Sequence, residues 1–553
     1  MHKHEIDSMK QDKIQLWILA TLTSILLSLP FLIPGLGFFA LLGLVPLLSM
    51  ERIASILKIK HFWIYHYATF VFWNALTTYW VSNATIGGGL FAILANAFQM
   101  SLIFGLFRLS KKYFKGSLPY IFLMVMWIAW ERFYFDAEIS WPWLVLGNSF
   151  AGNIRSIQWY EFTGSLGGSL WIWLCNLSIF GIMVVLSDGR WNKYNIKAKI
   201  AIILGTITLF IFPFAFSWTI WNKYEEKENP LEVLILQPNI DPYNKFQAMT
   251  QAQQDDIALE QMRAFLKNRD TLKTEPLLIL APETFTSGFN LNTYQTHQSW
   301  QRFTSFLKDY PGVNLLYGAS TYELIPSKEA PSHTARVFDK GIWYETHNTA
   351  LIVDGTERTE FFHKSRLVVG VEHTPYPQFF TKIDDWLGGV MGRCIGQEEI
   401  SLLSVVGADG EKIDLGCAVC YESVYGEYYT GYVNKGAQAM TIITNDAWWG
   451  DTPGYKQHLR YASLRAIETR RSIARSANTG VSAFINQRGE IVEQSDWWVP
   501  TTLHGKINLN DELTFYVKNG DIVGRVSTFV FLLLLLALGV RALMKSKTSE
   551  PKN

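Results

Sequence analysis

The chain has 553 residues, 49% of them hydrophobic but only 18% charged, against roughly 25% charged in an average soluble protein. Lys and Arg number 49 and Asp and Glu 48, so a formal net charge of +1 excludes a chain-wide basic field for nucleic acid. A 15% aromatic content excludes a disordered chain, and four cysteines in this length exclude a disulfide framework.

From the N-terminus, Ile14 to Met50 and His61 to Phe107 contain no Lys, Arg, Asp or Glu. Each stretch holds two helices of about 20 residues, enough to cross the hydrocarbon core, with turn formers between them at Pro30 to Gly37 and Asn83 to Gly89. A fifth span is expected from Gly116 to Phe135, where Glu131 and Arg132 interrupt the apolar run. The sixth covers Phe162 to Ser187, the seventh Ile200 to Trp221, and an eighth Asp521 to Leu543. Basic clusters fall on one side only: Lys3, Lys10 and Lys13 before span one, Arg52, Lys58 and Lys60 after span two, Arg108 to Lys115 after span four, Arg190 to Lys199 after span six, and Arg541 to Lys547 after span eight. The positive-inside rule then puts both termini in the cytoplasm and everything between spans seven and eight outside. The first run leads straight into further spans and reads as an anchor rather than a removed signal peptide. Trp80, Trp130, Trp141, Trp143 and Trp159 lie near outer span ends, where an interfacial aromatic belt is expected. Trp141 to Phe150, apolar but too short to span, reads as an interfacial segment near the site.

After the charged linker Lys223 to Pro230 the composition becomes that of a soluble α/β domain. Leu231 to Leu236, Leu277 to Ala281, Val313 to Tyr317, Ile413 to Val419, Ala439 to Thr444 and Val481 to Ile485 are short apolar runs bounded by turn residues, the pattern of buried strands. Ala252 to Asn268 and Tyr455 to Arg475 carry helical periodicity, so an α/β sandwich is expected.

No phosphate-cradling loop, His-Glu-x-x-His or Gly-x-Ser-x-Gly occurs. Cys417 and Cys420 have metal-ligand spacing, but a zinc site needs a second pair and only Cys175 and Cys394 remain. Three apolar runs end in, or are followed by, reactive side chains: Ala281-Pro282-Glu283-Thr284, His363-Lys364-Ser365-Arg366 and Cys420-Tyr421-Glu422. Strand ends are where α/β folds place their sites, and a Glu, a Lys and a Cys together make a base, an oxyanion stabiliser and a nucleophile. Taken singly, each has an ordinary alternative: a turn carboxylate, a solvated loop lysine, a small core residue.

The set as a whole resembles the nitrilase superfamily, whose Glu, Lys and Cys come in that chain order, and within it the apolipoprotein N-acyltransferase family. The match is densest in Asn445-Asp446-Ala447-Trp448-Trp449-Gly450, then Gln457-His458, Arg465 to Glu468 and Arg475 to Ser482. The Lys364 to Glu372 spacing and Trp141-Pro142-Trp143 belong to it too. The resemblance implies a polytopic α-helical membrane domain of about eight spans plus an extracytoplasmic α/β nitrilase-like sandwich with αββα layering. The expected domains are residues 1–222 in the membrane, 223–520 catalytic, 521–543 a returning helix and 544–553 a cytoplasmic tail.

The same resemblance implies Cys420 as nucleophile, Glu283 as general base and Lys364 as the cation beside the oxyanion. Glu372 and Glu422 become supporting carboxylates, Tyr421 a backbone oxyanion donor, and Trp141 and Trp448 substrate contacts. The implied activity transfers an acyl chain from a phospholipid, through a Cys thioester, to the α-amine of a diacylglyceryl apolipoprotein, in the bacterial inner membrane with the catalytic domain periplasmic. That chemistry needs no metal or organic cofactor, and a monomer is expected. Two positions depart from the family: Ala281 stands where Trp is usual, and Lys245-Phe246 where Lys-Trp is usual. Residues 384–410 match no pattern. The competing readings are a membrane-tethered amidase acting on a small C–N substrate, and a transporter, which the charge-free gaps disfavour.

Overall fold

A computed structural model describes residues 2–242, 245, 249–267, 269, 275–386, 389 and 391–549. The chain divides into two compact units. One comprises the chain up to Ala137, Trp141–Lys223 and the stretch from Asn519; the other comprises Glu138–Ser140 and Tyr224–Lys518.

In the first unit, helices cover all eight expected spans, and among the described residues six segments are long and apolar enough to cross a membrane: Gln11–Leu32, Gly37–Ile56, Ile86–Ser110, Tyr160–Ser187, Ile196–Lys223 and Ile522–Lys545. The two remaining helices, Trp63–Thr78 with 16 residues and Leu118–Asp136 with 19, fall short by length or by carrying Glu131, Arg132 and Asp136. Three of the five tryptophans expected at a belt, Trp80, Trp143 and Trp159, instead fill the interior of this unit, while Trp130 and Trp141 are half-buried. Trp80 and Trp143 are fully buried and Trp159 nearly so, with the Trp80 and Trp143 rings 4.9 Å apart. Trp141 stacks on Trp143 at 5.3 Å.

The segment expected to lie at an interface is likewise packed inside. Pro142–Leu144 and Leu146–Phe150 form buried 3₁₀ turns. The Leu146 N–H donates to Glu131 Oε1 at 2.8 Å, the Gly147 N–H to Ser169 Oγ at 3.0 Å, and the Tyr160 hydroxyl to the Gly147 carbonyl at 2.8 Å. Irregular backbone survives at this depth because side chains of neighbouring helices satisfy its polar groups. The same contact explains the interrupted fifth helix, whose Glu131 is 1% exposed and serves as an acceptor rather than a lipid-facing charge.

The second unit is built on fourteen strands among the described residues. They are β1 (Pro230–Gln237), β2 (Leu277–Leu280), β3 (Thr286–Asn290), β4 (Val313–Pro326), β5 (Arg336–Asp339), β6 (Ile342–Asp354), β7 (Thr359–His363), β8 (Leu403–Val406), β9 (Lys412–Val419), β10 (Ala439–Thr444), β11 (Ile473–Ala477), β12 (Ala483–Ile485), β13 (Ile491–Gln494) and β14 (Thr501–Asn508). One sheet runs β14-β1-β2-β4-β6-β5, with β3 beside β4 and β7 beside β6; the other runs β13-β12-β11-β10-β9-β8. The central strands β1, β2 and β4 are parallel to one another, as are β9, β10 and β11.

All six expected strand runs fall in this framework, and their near-continuous hydrophobicity follows from burial on both faces. Leu231, Val233 and Ile235 of β1 join the core that the two sheets share, whereas Leu234 and Leu236 face a second core with helices Gln251–Leu266 and Gln298–Leu307. Helices Gly426–Asn434 and Pro453–Thr469 pack on the other sheet through Tyr429, Tyr432, Leu459 and Ala462. The result is an α/β/β/α sandwich. Each fully buried aliphatic side chain contributes about 1.5–3 kcal/mol.

Local signals set the helix ends. Thr250 and Gln253 form a reciprocal capping box that starts Gln251–Leu266. Helical periodicity from Tyr455 onward suggests a helix to Arg475, but the helix stops at Thr469, where Arg470 adopts φ 51°. Arg475 belongs to strand β11 instead. The five residues Ile473–Ala477 are too few for periodicity to tell a strand from a helix, and the left-handed residue decides it.

Candidate active site

Glu283, Lys364 and Cys420 each follow a strand end by one to three residues, and the fold gathers them. Glu283 sits just beyond β2, where Gly318 of β4 passes so close that a Cβ there would lie 2.5 Å from the Thr284 nitrogen. Only glycine fits this crossing. Lys364 follows β7, and its N–H donates to the Asn348 carbonyl at 2.7 Å. Cys420 follows β9 with φ 52°, a left-handed conformation that a non-glycine residue holds only when its surroundings enforce it.

The Lys364 ammonium is 1% exposed and lies 3.2 Å from Glu283 Oε1 and 2.9 Å from Glu372 Oε1. Asn348 Nδ2 donates to the same two carboxylates, at 2.8 and 2.7 Å. The Asn445 N–H donates to Glu283 Oε2 at 3.1 Å, and the Val368 N–H to Glu372 Oε2 at 2.7 Å. Burial alone would lower the Lys364 pKa, but Glu283, Glu372 and Cys420 outweigh it and hold the ammonium well above the usual lysine range. For Cys420 the balance is opposite. Burial, and then Glu283, push the thiol above its ordinary range, against the opposing pull of Lys364 and a hydrogen bond from Thr444. The site therefore holds a charged lysine between two carboxylates and a protonated thiol that needs a base at the moment of attack.

Glu422 takes a different place from Glu372. It is fully buried and touches backbone: Oε2 accepts from Val419 N–H at 2.7 Å, and Oε1 from Ser365 N–H at 2.7 Å and Arg366 N–H at 3.2 Å. Tyr428 and Tyr432 hydroxyls donate to it at 3.0 and 3.3 Å. Its carboxylate thus sews the lysine loop to the nucleophile strand. Burial raises its pKa against those backbone hydrogen bonds. Tyr421 is buried beside Cys420, with its hydroxyl donating to the Ser140 carbonyl at 3.2 Å. Trp448 is 38% exposed on the 3₁₀ turn Asp446–Trp449. Trp141 lies in the first unit, and Phe246 falls outside the described residues.

Two family models match the chain: "Carbon-nitrogen hydrolase" over residues 248–512 and "Apolipoprotein N-acyltransferase N-terminal domain" over residues 23–178. The chain is 26% identical to the apolipoprotein N-acyltransferase of Chlorobaculum tepidum over 541 residues, covering 93% of this chain and 98% of that one. It is 23% identical over 524 residues to that of Geobacter metallireducens, covering 92% of each. With the enzyme of Pasteurella multocida it shares 31% identity over 199 residues, 35% of this chain and 36% of that one.

The chain belongs to the apolipoprotein N-acyltransferase family. It is an acyltransferase and a membrane protein, with the family's order of apolar helices followed by a nitrilase-like α/β domain.

Within this family member, several residues at the site carry no catalytic signature in the sequence. Asn348, which bridges both carboxylates, stands inside strand β6, where an Asn before the apolar run Ala350–Val353 is the only hint. Lys245 is buried and donates to the Thr284 carbonyl, next to Glu283. Burial lowers its pKa to about 8, against the pull of Glu283. Arg465 and Glu468 pair within one helix at 2.9 Å, and Arg465 also donates to the Val424 carbonyl at 2.8 Å, a structural role. The patternless stretch from Asp384 closes on itself: Arg393 pairs with Asp384 at 2.9 Å, and the Met391 N–H donates to the same carboxylate at 2.8 Å. All four cysteines are free, Cys417 lies in the core between the sheets, and no group of three or more metal-ligating side chains forms among the described residues.

Proposed function

We propose that the chain transfers an acyl group from a membrane phospholipid to the α-amine of the N-terminal S-diacylglyceryl cysteine of apolipoproteins, through a thioester on Cys420. The observation that carries this reading is the meeting of Lys364, Glu283 and Glu372 beside Cys420 in a chain whose apolar helices and catalytic domain both match the family.

In the first half-reaction Glu283 takes the thiol proton while the sulfur attacks the phospholipid ester carbonyl. The oxyanion forms against the Lys364 ammonium and the Tyr421 backbone N–H. Collapse breaks the ester C–O bond, the glyceryl oxygen takes the proton from Glu283, and a lysophospholipid leaves. In the second half the neutral amine attacks the thioester, Glu283 accepts its proton, the C–S bond breaks and the thiolate recovers a proton. Glu372 and Asn348 keep Lys364 and Glu283 in register through both halves. Two substrates confined to a bilayer react in turn at one sulfur, so the kinetics are ping-pong. The catalytic domain, residues 223–520, is taken to face the periplasm with both termini cytoplasmic, from the basic clusters on alternate loops, and the enzyme acts as a monomer.

Intact-mass analysis in micelles after adding phospholipid without acceptor tests the relay. A gain of one acyl chain, removed by hydroxylamine and absent from Cys420→Ala, is the expected result. No adduct on folded protein with several phospholipids, together with hydrolysis of a small amide, would move the chain to the tethered amidases.

A further inference from the structure

The motif Asn445 to Gly450, Gln457-His458 and Arg475 is dense, and its Asn445 N–H touches the Glu283 carboxylate of the acyl relay. Its other polar members converge beneath the nucleophile. His458 is fully buried on helix Pro453–Thr469, with Nε2 3.1 Å from the Cys420 carbonyl and 2.9 Å from Ser423 Oγ. A carbonyl only accepts, so Nε2 carries a proton and donates to it. Ser423 Oγ donates to the same carbonyl at 2.8 Å. On the other side of the ring, Nδ1 lies 3.0 Å from Asp446 Oδ1 and 3.1 Å from Arg475 Nη2.

Asp446 is itself held by two donors besides the histidine ring. Thr444 donates to Oδ1 at 2.8 Å and Arg475 to Oδ2 at 2.7 Å, while Arg475 also donates to the Val481 carbonyl at 2.6 Å. Gly480 leaves room for this carboxylate, since a Cβ there would meet Asp446 Oδ2 at 2.7 Å. The Trp449 ring closes over His458 edge-on at 5.5 Å. Every member from Arg475 to Ser423 is buried, and the chain of contacts ends on one atom, the carbonyl of a residue held at φ 52°.

We infer that His458, oriented by Asp446 and Arg475, is a positioning residue that clamps the Cys420 carbonyl together with Ser423 and so fixes the left-handed backbone that presents the thiol to Glu283 and Lys364. Orientation of a nucleophile by a neighbour's hydrogen bond is worth as much as the alignment it secures. His458 forms no bond to substrate; it acts through the main chain of Cys420.

The test measures alkylation of Cys420 by iodoacetamide, read at the Cys420 peptide by mass, and acylation by phospholipid, both on the full chain in micelles. The acylation arm rests on the acyl-transfer reading; the alkylation arm does not, so the failure of one is distinguishable from that of the other. In His458→Ala with an unchanged melting temperature, loss of one positioning hydrogen bond is expected to slow alkylation and acylation about tenfold, with the donor KM unchanged. His458→Gln, whose amide N–H reaches the same carbonyl, is expected to recover most of that rate. Parent-like rates in folded His458→Ala, or a Gln variant no faster than the Ala variant, overturn the inference. If His458→Ala does not fold, His458→Gln compared with His458→Met decides in the same way, and equal rates overturn it.

Discussion

Replacing Glu422 by Ala separates its place in the molecule from that of Glu372. The change strips the acceptor from the buried N–H of Val419 and from the half-buried N–H groups of Ser365 and Arg366. A buried donor left without a partner costs about 1–3 kcal/mol and a half-buried one regains part of that from water, so the loss is roughly 2–6 kcal/mol, against a total stability of about 5–15 kcal/mol. Even the lower figure corresponds to a fall of about 3 °C in melting temperature for a domain of about 300 residues. Because two of the three donors lie in the loop after Lys364, that loop should loosen first. Thermal unfolding followed by tryptophan fluorescence in micelles reads the first effect, and trypsin cleavage after Lys364 or Arg366 reads the second. Glu422→Gln keeps one oxygen and should fall between the parent and Glu422→Ala on both scales. A melting temperature within about 1 °C of the parent, with no new cleavage in Glu422→Ala, would refute the assignment of Glu422 to the backbone of the lysine loop.

Lys364→Met removes the cation between the buried Glu283 and the half-buried Glu372 and should destabilise by about 3 kcal/mol, and adding Glu372→Gln should recover part of that loss while activity stays absent; a double variant less stable than the single one would contradict the pairing. Alkylation of Cys420 should keep accelerating as pH rises past the ordinary thiol range, since burial and Glu283 hold the proton on sulfur; a plateau below neutrality would mean a preformed thiolate. Burial, and then His347, lower the His363 pKa to about 4, so the unfolded chain takes up a proton near 6.5 that the folded chain refuses until about 4. Stability is therefore full above 6.5 and is lost as pH falls toward about 4, and His363→Gln should flatten that part of the melting-temperature profile; an unchanged acid limb would rule His363 out.

The strands of the catalytic domain were legible because each of the six runs is apolar on both faces, a consequence of sheet packing that leaves a mark in one dimension. Glu283 and Cys420 were legible for a related reason, since each follows such a run, whereas Lys364 follows only the short pair Phe361-Phe362 and was legible from its motif. Asn348 carried no comparable mark. Its importance arises because β6 pairs with β7 in a register that sets Asn348 beside Lys364, and pairing register is not written in either strand alone. The tryptophans misled for a different reason. A ring near a span end reads the same whether lipid or another helix lies beside it, and Trp80 and Trp143 chose each other. Arg475 reads as helical in the sequence because its neighbours continue the helical period by chance past Arg470, a left-handed residue that no pattern announces.

Parallel strands explain why so few residues suffice to build this site. In each sheet the central strands end at the same edge, so the residue after β2, the residue after β9 and the first residues after β10 emerge together without long connecting loops. The lysine is the exception. It arrives on β7, antiparallel to β6, and nothing in the sheet order holds its loop toward Cys420. That task falls to Glu372, which grips the ammonium and is itself held by Asn348, and to Glu422, which grips the backbone just beyond it. Glu422 sits two residues after the nucleophile, so the segment that supplies the sulfur also anchors the loop that supplies the cation, and any shift of one carries the other with it. A relay that must offer the same geometry to an ester and later to a thioester needs that coupling more than it needs any further functional group.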